Sequence, residues 1–466
     1  MTTRSHPVHH RTGAAAATST RWRWPCLALL WGLAACAPTV ETTAPTSGAT
    51  WYVALGGDDA AAGSIDHPFA SLPRAQQAAA PGDTVLIRGG TYRMQERQLA
   101  ERKDIYARIV AFDKSGTPGH PITYRAYLGE EPVFDCAQVK PAGLRIVAFF
   151  VAGSWLHFDG LTVTGVQVTI RTHTQSICFE NEGSHNVYER LRMHDGQAIG
   201  IYSVRGSDNL FLNCDAWANW DSTSEDGKGG NVDGFGCHPP KGSTGNVFRG
   251  CRAWFNSDDG YDCINAHEAV TFENCWAFSN GLGVHGEKLG DGNGFKAGGY
   301  GSLAAERLPI PIPRHVVRGC LAVGNRAHGI YTNHHVGGCD WFNNTAYRNG
   351  ANFSLLGRLA DNRTDVPGGG NRVRNNLSFG SRTLIADFDP AHNEADHNSF
   401  APDLPLSARD FISLDEAQLT RPRQADGSLP VITLLHLAEG SALIDAGVDV
   451  GLPFRGERPD LGAFEY

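Results

Sequence analysis

From about residue 158 to residue 350 one short alternation of apolar and polar positions keeps returning. The clearest copies are Asn209-Leu210-Phe211-Leu212-Asn213-Cys214-Asp215-Ala216, Asn246-Val247-Phe248-Arg249-Gly250-Cys251-Arg252-Ala253 and Val270-Thr271-Phe272-Glu273-Asn274-Cys275-Trp276-Ala277. Phe158 to Val163 and Asn186 to Met193 are earlier, looser copies; His315 to Ala322 and Asn343-Asn344-Thr345-Ala346 follow. Runs this short with a period of two predict strands rather than helices. The aligned position falls at 214, 251, 275, 320 and 344, giving spacings of 37, 24, 45 and 24 residues. The unit is therefore a coil of about 24 residues, with extra residues near 220–232, 281–292 and 300–314 in two of the coils. A repeat on this scale predicts a solenoid: an all-β fold in which each coil buries its apolar side against the next. Insertions gathered on neighbouring coils would wall a cleft on one side of the rod.

The ends of the pattern differ from its middle. Trp51-Tyr52-Val53-Ala54 reads as a strand and Asp83 to Arg88 as a buried one. Between them Ser71 caps a predicted helix from about Leu72 to Ala80, stopped by Pro81-Gly82. Such a helix would plug the open first coil, and this opening resembles the start of secreted single-stranded right-handed parallel β-helix proteins. Five copies place an asparagine three residues after the alanine, at Asn219, Asn256, Asn280, Asn325 and Asn349. Stacked at a turn, these side chains can hydrogen-bond in a ladder. Beyond Phe400 the pattern fades; Asp445-Ala446-Gly447 and Pro459 to Glu465 are expected to form end-coil structure.

Chemistry-bearing residues concentrate between Val232 and Gly299. A polar-Gly-aromatic-x motif occurs three times: Asp233-Gly234-Phe235-Gly236, Asp259-Gly260-Tyr261-Asp262 and Asn293-Gly294-Phe295-Lys296. Ile199-Gly200-Ile201-Tyr202 and His328-Gly329-Ile330-Tyr331 are aliphatic relatives. On successive coils about 4.8 Å apart, Asp233 stacks with Asp259, and Asp262 with Lys296. Asp233, Asp258, Asp259 and Asp262 offer the oxygen-rich set that a hard cation such as Ca²⁺ prefers. Lys296, one coil on, is placed as a general base. Two plainer readings stand beside this one: Asp and Gly are common in turns between strands, and Lys296 can be an ordinary ion-pair partner of Asp262. Strict alternation would also put Asp259 and Asp262 on opposite faces unless the chain bends near Gly260.

Composition narrows the setting. The chain has 466 residues, 55 of them Gly and only 3 Met, which fits a turn-rich β protein. Arg21 and Arg23 precede an apolar run, Trp24 to Leu33, too short to span a bilayer. Leu33-Ala34-Ala35-Cys36 resembles a bacterial lipobox, so residues 1–35 are expected to be a lipoprotein signal and Cys36 the lipidated residue; an ordinary secretory signal is the alternative. Residues 36–50, rich in Pro, Thr and Ser, read as a tether, and 51–466 as the β-helix domain. Either signal exports the protein, to the outer membrane or cell surface, the periplasm, or beyond. Removing residues 1–35, with four arginines and no acids, takes the formal net charge from −9 to −13. That argues against a nucleic-acid partner but allows an acidic polymer if a cation bridges the charges. A monomer is expected. Beyond Cys26 and Cys36 nine cysteines remain, and Cys214, Cys251, Cys275 and Cys320 share one repeat position, as small apolar core residues. A zinc site on Cys237, His238, Cys251 and Cys263 lacks the usual paired spacing.

Asp233-Gly234-Phe235, Asn256-Ser257-Asp258-Asp259-Gly260-Tyr261-Asp262 and Gly292-Asn293-Gly294-Phe295-Lys296-Ala297-Gly298-Gly299 together resemble polysaccharide lyase family nine, the pectate-lyase-like right-handed β-helix enzymes. The resemblance is strongest from Asn209 to Gly350. It implies Ca²⁺ on Asp233, Asp258, Asp259 and Asp262, Lys296 as Brønsted base, and β-elimination on a uronate-containing polysaccharide of the pectate or polygalacturonate kind. Two segments depart from the family pattern: Gly236-Cys237-His238-Pro239-Pro240-Lys241 and His328-Gly329-Ile330-Tyr331-Thr332-Asn333. They point to a substrate other than plain polygalacturonate, with His328, Tyr331 and Asn333 as candidate substrate contacts and His334 and His335 as further subsite candidates. A polygalacturonase-type hydrolase using paired aspartates, or a surface glycan-binding β-helix without turnover, remain competing readings.

Overall fold

The structure, a computed structural model, describes residues 48–400 and 404–466. The signal, Cys36 and most of the tether lie outside the described residues. The first strand, Thr50–Val53, begins one residue inside the expected tether.

Each coil is a triangle of three short strands. In one complete coil these are Asn246–Arg249, Arg252–Trp254 and Tyr261–Asp262. Stacking gives three parallel sheets with twelve, ten and eleven strands among the described residues, called here the first, second and third. The exception to parallel order within them is a hairpin at the edge of the third, Glu101–Lys103 against Tyr106–Phe112. Every repeat copy read from the sequence supplies a first-sheet and a second-sheet strand, except Asn343–Ala346, which enters only the second-sheet strand Thr345–Tyr347. The third sheet, where the polar-Gly-aromatic motifs fall, was less visible because its middle strands are only two or three residues long.

Register is held from inside. Phe158, Tyr188, Phe211, Phe248 and Phe272 stack up the first sheet with centroids 4.3–5.4 Å apart, and Phe235, Tyr261 and Phe295 do the same in the third at 5.1 and 4.7 Å. Such offset ring contacts add to the burial they provide. The expected ladder is present at the turn into the third sheet: Asn219 donates to Asn256, Asn256 to Asn280, Asn280 to Asn325 and Asn325 to Asn349, at 2.9–3.1 Å. The residue before each ladder asparagine bends the chain with a positive φ, as at Phe255 (52°) and Ser279 (55°). The nine described cysteines are free and buried. Those in the repeat stack as expected, with the Cys214 amide donating to the Cys251 sulfur at 3.4 Å.

Both ends adjust the expectations. The helix spans Leu72–Ala78, two residues shorter than predicted, with Ser71 capping the Arg74 amide. It covers the first coils: Leu72 and Ala75 join the core, and Gln76 bonds the backbone of Ala111 and Asp113. The C-terminal segment is not end-coil structure. Residues 404–466 run back along the outside of the second sheet, where Phe411, Leu419, Ile432, Leu434 and Leu437 cover Trp254, Trp276, Phe278 and Leu321. The second sheet turns large apolar side chains outward along much of its length, and they need this cover. Arg423, from the tail, and Arg252 both grip the buried Asp215, at 2.7 and 2.8 Å.

Candidate active site

The motif now has a mechanical meaning. Its aromatic residue points into the core and its last residue points out. The glycine is needed for contact: a Cβ at Gly260 would fall 2.7 Å from the Gly294 carbonyl oxygen. In register, Gly236, Asp262, Lys296 and Tyr331 form one outward row on the third sheet. The polar first residues form a second column at the bend before the strand. There Asp233 accepts from the Asp259 amide at 3.2 Å, Asp259 accepts from Asn293, backbone and side chain, at 2.6 and 2.8 Å, and Asn293 meets the His328 ring at 2.8 Å.

This bend removes the conflict over Asp259 and Asp262. The strand is only Tyr261–Asp262, and Asp259 lies in the turn ahead of it, so alternation does not apply across the pair. Lys296 Nζ sits 3.0 Å from Asp259 and 3.2 Å from Asp262. Asp233, Asp259 and Asp262 hold carboxylate oxygens within 4.8 Å of one another. Asp258 belongs to a second group, with Asp259 and Asp291, and accepts from the Asp291 amide at 2.7 Å. Asp291 was missed in the sequence; its place just before the third motif was the available signal.

The cluster carries more negative charge than the protein offsets. Asp233, Asp258, Asp259 and Asp262 are 0–6% exposed, against a single lysine at 9%. Burial, reinforced by neighbouring carboxylates, pushes Asp233 and Asp258 well above the usual carboxylate range, and Asp259 upward against the pull of Lys296. Burial alone would lower Lys296, but the four aspartates together hold it well above an ordinary lysine. Asp259 Oδ2 is buried with no hydrogen-bond partner beyond that ion pair. An all-oxygen set with excess charge and an unmet oxygen fits a hard divalent cation. Among the described residues, the groups able to hold a metal contain no cysteine, so the zinc reading finds no site.

A family model described as Pel9A-like, right-handed beta helix region, matches residues 51–376. The chain belongs to the Pel9A-like right-handed β-helix family. The matched region encloses the whole cluster and stops short of the tail. The chain is 33% identical over 422 residues to a pectate lyase L of Dickeya chrysanthemi, covering 89% of this chain and 90% of that one. It is 28% identical to pectate lyase PEL9 of Emericella nidulans, over 84% and 93%. A solved rhamnogalacturonan lyase is 45% identical, with a TM-score of 0.81 over 84% of this chain and 97% of that one. A solved pectate lyase Pel9A is 32% identical, with a TM-score of 0.73 over 90% and 97%. The protein is thus a polysaccharide lyase.

The lyase brings two of its three expected substrate contacts to the cluster. Tyr331 follows Lys296 in the row and stacks on His328 at 4.4 Å. Asn333 is spent on structure: it takes a positive φ of 53° and its amide donates to the Gly298 carbonyl at 2.9 Å. His335 is buried between the Gly299 amide and the Pro313 carbonyl, and burial pushes it down to about 4, so it too is structural. His334 pairs with Asp365 at 2.8 Å. Sequence reasoning passed over the ring pair of Tyr202 and His238, 4.9 Å apart at the N-terminal side of the row.

Proposed function

We propose that this lyase cleaves a uronate-containing pectic polysaccharide by β-elimination, with Lys296 as the base. The observation that carries the reading is the placement of the Lys296 amine, 3.0 and 3.2 Å from Asp259 and Asp262, on the outward row of a sheet. Asp233, Asp259 and Asp262, with Asp258 beside them, would hold Ca²⁺. Bound there, the ion would neutralise the substrate carboxylate and relieve the negative charge that otherwise keeps Lys296 protonated.

As a free amine, Lys296 takes the proton from the carbon next to the uronate carboxylate. The electron pair left behind forms the new double bond, the bond to the 4-linked sugar breaks, and that oxygen leaves with a proton from solvent. Asn293 fixes Asp259, and Tyr331 lies beside the amine as a wall of the subsite. No water attacks the sugar, so no hydrolytic carboxylate pair is needed.

Within this class, the 45% identity to a rhamnogalacturonan lyase, against 33% for a pectate lyase, supports a backbone that alternates neutral and acidic sugars. The departures at Gly236–Lys241 and His328–Asn333 agree with that choice. The test is incubation with rhamnogalacturonan and polygalacturonate, with Ca²⁺ or EDTA. Ultraviolet absorbance of a conjugated alkene on rhamnogalacturonan, lost with EDTA, is the expected result. New reducing ends without absorbance would identify a hydrolase instead. The same reading takes the protein to be exported and anchored through Cys36, which labelling with a radioactive fatty acid and a Cys36→Ser variant would check.

A further inference from the structure

The outward row of the third sheet does not begin at the aspartates. In register it runs from Asp262 back through Gly236 and Tyr202 to Glu180. Phe179 and Ile201 are core residues, so strand alternation turns Glu180 and Tyr202 to the side that carries Asp262 and Lys296. Glu180 is 5% exposed, and its Oε2 is buried with no hydrogen-bond partner among the described residues. Arg108, on the hairpin strand, has a buried Nε in the same condition, its Nη1 being taken by Glu101 at 2.6 Å. An unpartnered buried carboxyl costs stability, and nothing in the coil's own construction calls for one. Burial, reinforced by Glu182, pushes it up to about 7, against the opposing pull of Arg108, Arg145 and Arg205. Next to it lies an apolar patch of Val147, Phe150 and Ile177, with Tyr202 packed against it. Tyr202 leans over Gly236, where a Cβ would fall 2.6 Å from its ring.

We propose that Glu180 and Tyr202 form a recognition position for a neutral sugar of the polymer, on the N-terminal side of the cleavage site, and that Glu180 excludes a uronate from it. This rests on the lyase acting on a uronate polymer. Three coil steps separate Glu180 from Asp262, roughly 14 Å at sheet spacing, on the scale of a few sugar residues. A sugar hydroxyl can donate to the unmet carboxyl oxygen, and the apolar face of a sugar ring suits Tyr202. Arg108, Arg145 and Arg205 face Glu180 and are matched against its charge; a uronate here would add a second carboxylate to a poorly solvated place without the cation that the aspartate cluster would hold.

The experiment compares the wild type with Glu180→Gln and Glu180→Ala. Three substrates are used: long rhamnogalacturonan, polygalacturonate, and rhamnogalacturonan oligomers too short to reach three coils from the cleavage point. In both variants the preference for long rhamnogalacturonan over polygalacturonate narrows about tenfold, the worth of one well-made hydrogen bond to a charged group. The change lies in KM, with kcat within about twofold, and the short oligomers are cleaved as before. An unchanged preference overturns the proposal, as does an equal loss on short and long substrates, which would mark Glu180 as merely structural. If the wild type forms no alkene from any of the three, the lyase-on-uronate reading fails and takes this proposal with it.

Discussion

The outward rows of the first and third sheets lie on the same coils with the same spacing, yet they treat charge in opposite ways. On the first sheet, Arg249, Glu273 and Arg318 follow one another in register. Arg249 meets Glu273 at 2.6 Å, Arg318 pairs with it from the other side, and the two arginines are 49% and 38% exposed. Signs alternate, the buried Glu273 is matched by two arginines whose outer sides are in solvent, and each pair is worth little. On the third sheet, aspartates crowd one lysine, all are buried, and acidic charge is left over. The difference is not in the strands. It lies in the insertions that wall the third sheet and in which signs were put side by side. Alternation in water makes a quiet surface; concentration away from water makes groups with shifted protonation, which is what catalysis and cation binding need.

That contrast can be tested from its strongest element down. Lys296→Ala should lower kcat by about 10³-fold or more, within the range for loss of a proton-transfer group; Lys296→Arg should be nearly as poor, since its guanidinium stays protonated. Alkene absorbance under saturating substrate measures both, and an active alanine variant would sink the assigned base. Next, the raised pKa values of Asp233, Asp258 and Asp259 mean that the metal-free fold holds protons more tightly than the unfolded chain. Their contribution favours the fold at low pH and is lost as pH rises through the raised values. In EDTA the melting temperature should therefore fall from acid toward neutral pH. Excess Ca²⁺ should reverse the trend, by about 2.7 kcal/mol at one hundred times its Kd. A melting temperature indifferent to Ca²⁺ would count against the ion site.

A smaller effect is expected at Glu180. Its folded pKa of about 7 exceeds the ordinary value of 4.5, so its ionisation costs stability that mounts as pH climbs between those values. Glu180→Gln should raise stability at pH 8 by on the order of 1–3 kcal/mol and leave it nearly unchanged near pH 4, as read by urea titration. The smallest change belongs to the first sheet. Arg249→Ala should cost under about 1 kcal/mol, and less in high salt. A cost as large as that of a buried pair would erase the distinction between the two rows.

Much of this was legible beforehand, for identifiable reasons. The spacing of Cys214, Cys251, Cys275 and Cys320 exposed the coil length because the position faces a core that tolerates only small residues. The asparagine ladder showed because each member needs the next as hydrogen-bond partner. Lys296 and Asp262 could be set side by side because their motifs share an inward aromatic. Asp291 escaped because it sits in an inserted loop outside the motif, and the place of Asn333 in a turn was not legible because a turn residue and a subsite residue look alike in sequence. The tail was misplaced because its closing motifs say nothing about which sheet has an uncovered apolar face.

The coil, its repeat length and the outward-facing positions can be read from the chain alone, since these follow from local periodicity and from side chains that must match their neighbours one coil away. Folding alone sets which outward residues share a row across insertions of uneven length, extends the row of Lys296 to Tyr202 and Glu180, and seals the second sheet with the tail. It also decided the protonation of the cluster. Burial and the nearness of like charges are properties of space, and the chain brings them together from segments tens of residues apart.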